Sequence, residues 1–291
     1  MLNDPKTDHF EINEASGLFY LIFVFIIFKM LEIKTKYAMV TGASKGIGRS
    51  MAIALAKRKM NLLLIARSSN ELIALQQDIK SQYGVEVNVL PIDLSLPGSP
   101  KQVLGWIQQN NYPIQVLINN AGYGLWGKFA ELDLAEQLAM CQLNMTSIVS
   151  LCHLLLPVLS NEKQAYILNV SSTAAYQAVP TLAIYSATKA FVLSFTRAFR
   201  FELKDGPVSV SCLSPGPVDT GFAHRAGLDA FNKMAEKFNM RPDEVAEIAI
   251  KGMLAKKSEI IPGFTNIISV YANRILPKGF IEKTAAGIYK T

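Results

Sequence analysis

Cysteine and histidine are scarce in this chain, and charge is sparse. The three cysteines, Cys141, Cys152 and Cys212, form no Cys-x-x-Cys pair and are odd in number. A disulfide framework is therefore not expected, and a reducing, cytoplasmic setting is. The three histidines, His9, His153 and His224, lie far apart, with no His-x-x-x-His or Cys/His cluster to suggest a metal site. Charged residues make up 18% of the 291, with 29 Lys+Arg against 23 Asp+Glu and a net charge of +6. No basic run exceeds Lys57-Arg58-Lys59, which argues against a nucleic-acid partner, since that needs a clustered basic face. Half of the residues are hydrophobic, too many for a disordered chain.

One long apolar run stands out, from Gly17 to Phe28, or to Leu31 if Lys29 snorkels. A membrane span needs about 20 residues, so this run falls short. Its N-terminal flank also lacks the basic residues of a signal peptide. Two readings of residues 1–29 stand side by side. One is a short membrane anchor through residues 17–31, with Lys29, Lys34 and Lys36 on the cytoplasmic side. The other is a tail, or a start-site error with translation beginning at Met30.

From Tyr37 onward, short apolar runs alternate with amphipathic stretches. Strands are expected at Tyr37–Thr41, Asn61–Ala66, Glu86–Pro91, Ile114–Ile118, Tyr166–Val170, Ser209–Leu213 and Glu259–Ile261. Runs such as Leu62-Leu63-Leu64-Ile65 are apolar on both faces, as in a parallel sheet covered on both sides. The expected fold class is α/β. Residues 30–291 form one domain, a Rossmann-like doubly wound parallel sheet of about seven strands.

The first strand runs into Thr41-Gly42-Ala43-Ser44-Lys45-Gly46-Ile47-Gly48, and a helix follows. Gly42 permits a tight turn, Gly46 lets backbone approach a pyrophosphate, and Gly48 allows close packing of helix on strand. The helix N-terminus offers free N–H groups to phosphates. After the second strand, the place where an NAD site carries a carboxylate holds Ala66, with Arg67 beside it. Two cations, Lys45 and Arg67, with no carboxylate suit a ribose 2′-phosphate, so the expected cofactor is NADP(H). The plainer reading of Arg67 is a solvated residue at a helix start.

Tyr185 and Lys189 lie four apart in the helical stretch Leu182–Leu203 and so share one face. A neighbouring ammonium stabilises a phenolate, which tunes a tyrosine for proton transfer. Upstream, the fifth strand ends in Asn169-Val170-Ser171-Ser172, placing the Ser172 hydroxyl where a parallel strand delivers reactive groups.

Together these segments resemble the short-chain dehydrogenase/reductase family, in the subgroup of NADP-preferring bacterial general oxidoreductases. The glycine loop matches its cofactor motif, Asn119-Asn120-Ala121-Gly122 its structural motif, and Ser172, Tyr185 and Lys189 its catalytic core. Pro215-Gly216, with Val218 and Thr220, matches the segment that holds the nicotinamide. The resemblance spans about Tyr37 to Ile261. It implies that Asn144 is a fourth catalytic residue supporting a water near the lysine. Read without that context, Asn144 is a mid-helix asparagine bonded to backbone. The resemblance also implies that Asp93 lies beside the adenine, and that Asn120, Ala121 and Gly122 line the cofactor. Gly42, Ser44, Lys45, Gly46, Ile47 and Gly48 complete that contact set, with Tyr185 and Lys189 reaching it from the catalytic helix.

The reaction so implied is hydride exchange between NADPH and a carbonyl/alcohol pair, with Tyr185 as general acid/base. The substrate lid falls at about 214–240. Phe222, Phe231, Met234, Phe238 and Met240 there, with Trp126, Phe129 and Tyr176 elsewhere, suggest a pocket for an apolar small molecule. The alternative use of these side chains is to pack the lid on the body. Two rival functions are a membrane-tethered reductase of a lipid, sterol or acyl-chain carbonyl, and a non-catalytic NADP-binding protein. Gly17–Phe28 and an amphipathic tail at Phe264–Ile288 favour the first; the intact Ser172, Tyr185 and Lys189 argue against the second. A homo-oligomer is expected.

Overall fold

The computed structural model describes residues 36–220 and 239–288. The apolar run of residues 17–31 and the lid residues Phe222, Phe231, Met234 and Phe238 lie outside them. Seven strands appear in chain order: β1 (Tyr37–Thr41), β2 (Asn61–Ala66), β3 (Val87–Pro91), β4 (Ile114–Asn119), β5 (Ala165–Val170), β6 (Val208–Leu213) and β7 (Glu259–Ile260). They differ from the expected bounds by a residue or so at their ends, as such boundaries commonly do. All pairings are parallel, in the order β3-β2-β1-β4-β5-β6-β7. The order reverses between β1 and β4, which opens a crevice at the strands' C-terminal ends.

Among the described residues the α-helices are α1 (Gly46–Lys57), α2 (Ser69–Tyr83), α3 (Ser99–Gln109), α4 (Leu134–Cys141), α5 (Ser147–Ser160), α6 (Ala183–Glu202), α7 (Pro242–Leu254), α8 (Phe264–Ile275) and α9 (Lys278–Ile288). A π-helical turn, Gln142–Thr146, joins α4 to α5.

The doubly wound expectation holds, and side-chain alternation shows why. Ala38, Val40, Leu62 and Leu64 point to one face, where Met51 and Leu55 of α1, Leu72 and Leu75 of α2 and Ala249 and Ile250 of α7 cover them. Met39, Leu63 and Ile65 point to the other, under Val103 and Ile107 of α3, Leu151 and Leu155 of α5 and Val192 of α6. One apolar run thus feeds two cores. Each fully buried Leu or Ile contributes roughly 1.5–3 kcal/mol. The Arg58 guanidinium closes α1 and grips Glu247 of α7 through two bonds, of 2.7 and 3.2 Å.

The Leu134–Ser160 helix is long and apolar enough to cross a membrane. Its Ile148, Leu151, Leu155 and Leu159 are packed in the second core, which identifies it as a core helix.

Candidate active site

The glycine loop is a closely fitted turn at the end of β1. Gly46 has φ +56°, and an ideal Cβ there would lie 2.8 Å from the Thr220 Cβ. At Gly48 the same atom would lie 2.3 Å from the Gly42 carbonyl oxygen and 2.4 Å from the Asn120 amide nitrogen. Gly48 therefore makes room for its own loop and for Asn120, rather than for the strand alone. The Asn120 amide donates to the carbonyls of Thr41 (2.9 Å) and Gly42 (3.2 Å). The Thr41 hydroxyl accepts from the backbone N–H groups of Asn120 and Ala121, both at 3.0 Å. The two motifs, distant in sequence, are one clamp across the β1/β4 crevice. Ile47 packs on the first core.

Lys45 lies in the glycine loop and Arg67 follows Ala66 at the end of β2, where no carboxylate stands; each cation instead pairs with a carboxylate from further along the chain. Lys45 Nζ lies 2.7 Å from Glu71 Oε1, and Arg67 Nη1 lies 3.7 Å from Asp93 Oδ2. Glu71 comes from the first turn of α2, where the helix dipole favours a negative charge. Lys45 holds its carboxyl below the usual carboxylate range against the opposing effect of burial, with Ser44 and Ser68 assisting. Burial would raise Asp93, but the Ser95 hydroxyl and amide and the Arg67 charge outweigh it and leave the carboxyl lowered.

Tyr185, Thr188 and Lys189 share one face of α6, and all three are buried. Lys189 Nζ donates to the Val170 carbonyl (3.0 Å) at the end of β5 and sits 5.7 Å from the Tyr185 ring centroid. The Ser171 hydroxyl donates to the Lys189 carbonyl (2.7 Å), fixing α6 against β5. Ser172 caps the 3₁₀ turn Thr173–Tyr176, its hydroxyl accepting from Ala174 N–H at 3.1 Å. Asn144 projects from the π turn, fully buried, and brackets Tyr123: its Oδ1 accepts from Tyr123 N–H (3.2 Å) and its Nδ2 donates to Tyr123 C=O (2.9 Å). Nδ2 also donates to the Thr188 hydroxyl (3.1 Å), which itself donates to Tyr185 C=O. Asn144 does bond to backbone, though to a loop beyond β4 and not to its own helix. A Cβ on Gly122 would lie 2.9 Å from Asn144 Oδ1 and 3.4 Å from Lys189 Nζ, so this glycine leaves the space they occupy. Thr188 and Tyr123 were not singled out in the sequence. Their signal is only that they lie next to Lys189 and Gly122.

Burial pushes the Lys189 ammonium down to about 8 from 10.5. Between those values the unfolded chain holds a proton that the folded chain has released, so stability rises with pH in that window. The cost of burying the charge is fully present below pH 8. Relative to Lys189→Met, the cofactor-free protein should gain on the order of a few kcal/mol between pH 8 and 10.5. Urea unfolding of both proteins at pH 7.5 and pH 10 measures this. An unchanged difference would mean that the ammonium is hydrated in solution.

Pro215, Gly216 and Val218 follow β6. Thr173 N–H donates to Pro215 C=O (2.9 Å), and Val218 bridges to Met240. A Cβ on Gly216 would meet the Asn266 carboxamide of α8 at 2.3 Å. Asn266 was missed because nothing in sequence links it to Gly216.

The described side chains expected around the substrate lie in different surroundings. Trp126 packs with Met140, Val179 and Leu182 around Tyr185, its indole N–H buried without a partner. Phe129, however, is exposed, and Met240 packs on the first core. Tyr176 turns its hydroxyl to Ser214 (3.1 Å) and Glu259 and is raised above its ordinary range by burial.

The arrangement fits a dinucleotide at the clamp and a proton-transfer group on α6. A profile described as short chain dehydrogenase matches residues 36–230. The chain is 29% identical over 238 residues to the NADP-dependent 3-hydroxy acid dehydrogenase of Schizosaccharomyces pombe, covering 80% of this chain and 92% of that protein. It is 30% identical over 261 residues to the very-long-chain 3-oxoacyl-CoA reductase of Rattus norvegicus, covering 86% and 83%. Among solved structures, a short-chain dehydrogenase from Sphingobium yanoikuyae in complex with NADPH superposes with a TM-score of 0.74 at 28% identity, over 84% of this chain and 94% of that one. With clamp, sheet order and profile in agreement, the chain belongs to the short-chain dehydrogenase family of oxidoreductases.

Proposed function

We propose that this oxidoreductase interconverts an apolar carbonyl and its alcohol with NADP(H), using Tyr185 as the proton-transfer group. The observation that carries the reading is the convergence of Tyr185, Lys189, Asn144 and Gly122 beside the end of β5. The fit to the cofactor rests on the clamp, which holds the glycine loop and the start of α1 at the β1/β4 crevice. Gly42, Ser44, Gly46, Ile47 and Gly48, with the start of α1, would hold the pyrophosphate, and Asp93 would border the adenine. Lys45 and Arg67 would face the 2′-phosphate. Pro215, Gly216, Val218 and Thr220 would border the nicotinamide. When bound, the dinucleotide supplies or accepts the hydride.

The chain's own residues do the rest. Lys189, protonated near neutral pH, lies close enough to Tyr185 to favour its phenolate. Tyr185 then gives its proton to the oxygen of a carbonyl being reduced, or takes it from an alcohol. Ser172 orients that oxygen. Asn144 and Thr188 hold the Tyr185–Lys189 turn against the loop at Tyr123. Trp126, Met140, Val179 and Leu182 exclude water from one side of the phenol. The test is NADPH oxidation across aldehydes, ketones and 3-oxoacyl thioesters. Apolar ketones or thioesters should turn over, and faster with NADPH than with NADH. No turnover on any member would remove the proposal.

One observation favours action at a membrane surface. On α8, Phe264, Ile268, Tyr271 and Ile275 recur at i, i+4, i+7 and i+11, all exposed, Ile275 at 83%. The amphipathic tail read from the sequence is real, but its apolar face turns outward while Val270 anchors the helix. Lys278 and Lys283 follow on α9, a cationic rim suited to anionic lipid. Sedimentation with phosphatidylcholine vesicles, with and without phosphatidylglycerol, checks this on the full chain and on a chain beginning at Met30. Both should bind the anionic vesicles, and Ile268→Glu/Ile275→Glu should abolish binding. Binding lost only on removing residues 1–29 would assign the contact to the N-terminal run instead. Because all seven strands among the described residues lie from Tyr37 onward, the shorter chain should fold and turn over like the full one.

A further inference from the structure

Glu71 has no part in the reaction proposed above, yet it occupies the cation that the cofactor is expected to use. Its Oε1 lies 2.7 Å from Lys45 Nζ, and the Ser44 and Ser68 hydroxyls lie alongside the carboxylate. The pair borders a cavity of about 540 Å³ also lined by Arg49, Asp78, Asp219 and Thr220. Arg67 is not among its walls. Arg67 has its own carboxylate, Asp93, but at 3.7 Å and more loosely.

We infer that Glu71 sets the discrimination between NADPH and NADH by competing with the 2′-phosphate for Lys45. A 2′-phosphate carries close to two negative charges. To be met by Lys45 it must break the Lys45–Glu71 pair and leave a carboxylate nearby, a like-charge juxtaposition that weakens binding. A ribose 2′-hydroxyl needs no cation and leaves the pair intact. Glu71 therefore lowers affinity for the phosphorylated cofactor selectively, and the enzyme prefers NADPH less strongly than Lys45 and Arg67 alone would dictate. The inference rests on the reading that Lys45 faces the 2′-phosphate, and on no assumption about Tyr185.

The experiment is calorimetric titration of the full chain with adenosine 2′,5′-bisphosphate and with 5′-AMP, ligands that lack nicotinamide and differ only in the 2′-phosphate. Glu71→Gln should tighten the bisphosphate about three- to ten-fold and leave 5′-AMP within about two-fold, the scale of a partly exposed charge pair. Lys45→Met, added to Glu71→Gln, should cancel the gain. Made alone, Lys45→Met should cost less bisphosphate affinity than it does when Glu71→Gln is already present, because in the unaltered protein the lysine is engaged by the carboxylate. Should the neutral variant be too unstable to titrate, Glu71→Lys reverses the charge at similar length and should raise the ratio further. An unchanged ratio in both Glu71 variants, or a gain that survives loss of Lys45, would overturn the inference while leaving the 2′-phosphate reading intact. Equal binding of the two ligands by the unaltered protein would overturn both.

Discussion

Tyr185→Phe should lower kcat by about 10²–10⁴-fold and leave NADPH affinity within about two-fold, because the ring still packs and only the proposed proton donor is lost. The Tyr185 ring lies among Met140, Val179 and Leu182, contacts that phenylalanine preserves. The Asn144–Thr188 link and the Lys189 bond to Val170 do not involve the hydroxyl, so the turn should keep its shape. Stopped-flow measurement of NADPH oxidation, with fluorescence titration of the cofactor, separates chemistry from binding. A variant that turned over near the original rate would move the acid to another group and defeat the proposed mechanism. A variant that lost cofactor binding as well would mean that the hydroxyl holds structure.

Gly48→Ala is the second large effect, and it falls on binding and stability together. The added methyl would lie 2.3 Å from a backbone carbonyl oxygen and 2.4 Å from the Asn120 amide, neither of which is a flexible chain end. Either the loop or Asn120 must move, and moving Asn120 breaks its bonds to Thr41 and Gly42. A loss of about 1–3 kcal/mol in stability and of more than about ten-fold in NADPH affinity is expected. Gly105→Ala, in the middle of α3 with nothing within 4 Å of the new atom, provides the contrast. It should stabilise by about 0.5–1 kcal/mol and leave binding unchanged. Thermal melting and cofactor titration of the two variants side by side decide the matter; equal behaviour would mean that the clamp is slack.

Features that repeat along the chain were legible in the sequence. Two-sided apolar runs announced strands covered on both faces, and the glycine spacing announced a turn between strand and helix. The proximity of Lys189 to Tyr185 was readable because the two sit one helical turn apart. Features that depend on what lies opposite in space were hidden. Glu71 looks like an ordinary first-turn acid, and only the fold brings Lys45 to it. The α8 pattern announced an amphipathic helix without saying which side would be covered, and the structure turns Phe264 and Ile275 outward. Tyr176 read as pocket lining because aromatics in loops commonly are. Its hydroxyl instead finds Glu259, which Arg197 and Arg274 also approach, each at 3.6 Å.

The π turn at Gln142–Thr146 makes the α4–α5 helix intolerant of length changes that an ordinary helix would absorb at its ends. A π turn carries one residue more than regular α-helical winding requires. Deleting a residue there would regularise the helix, and each residue of winding is worth about 100° of rotation. Asn144 would swing away from Tyr123 and Thr188, or else Ile148, Leu151 and Leu155 would swing out of the core. The extra residue acts as a phase adjuster between a helix face that must pack and a side chain that reaches Tyr123 and Thr188. Substitution in this stretch should therefore be tolerated far better than insertion or deletion.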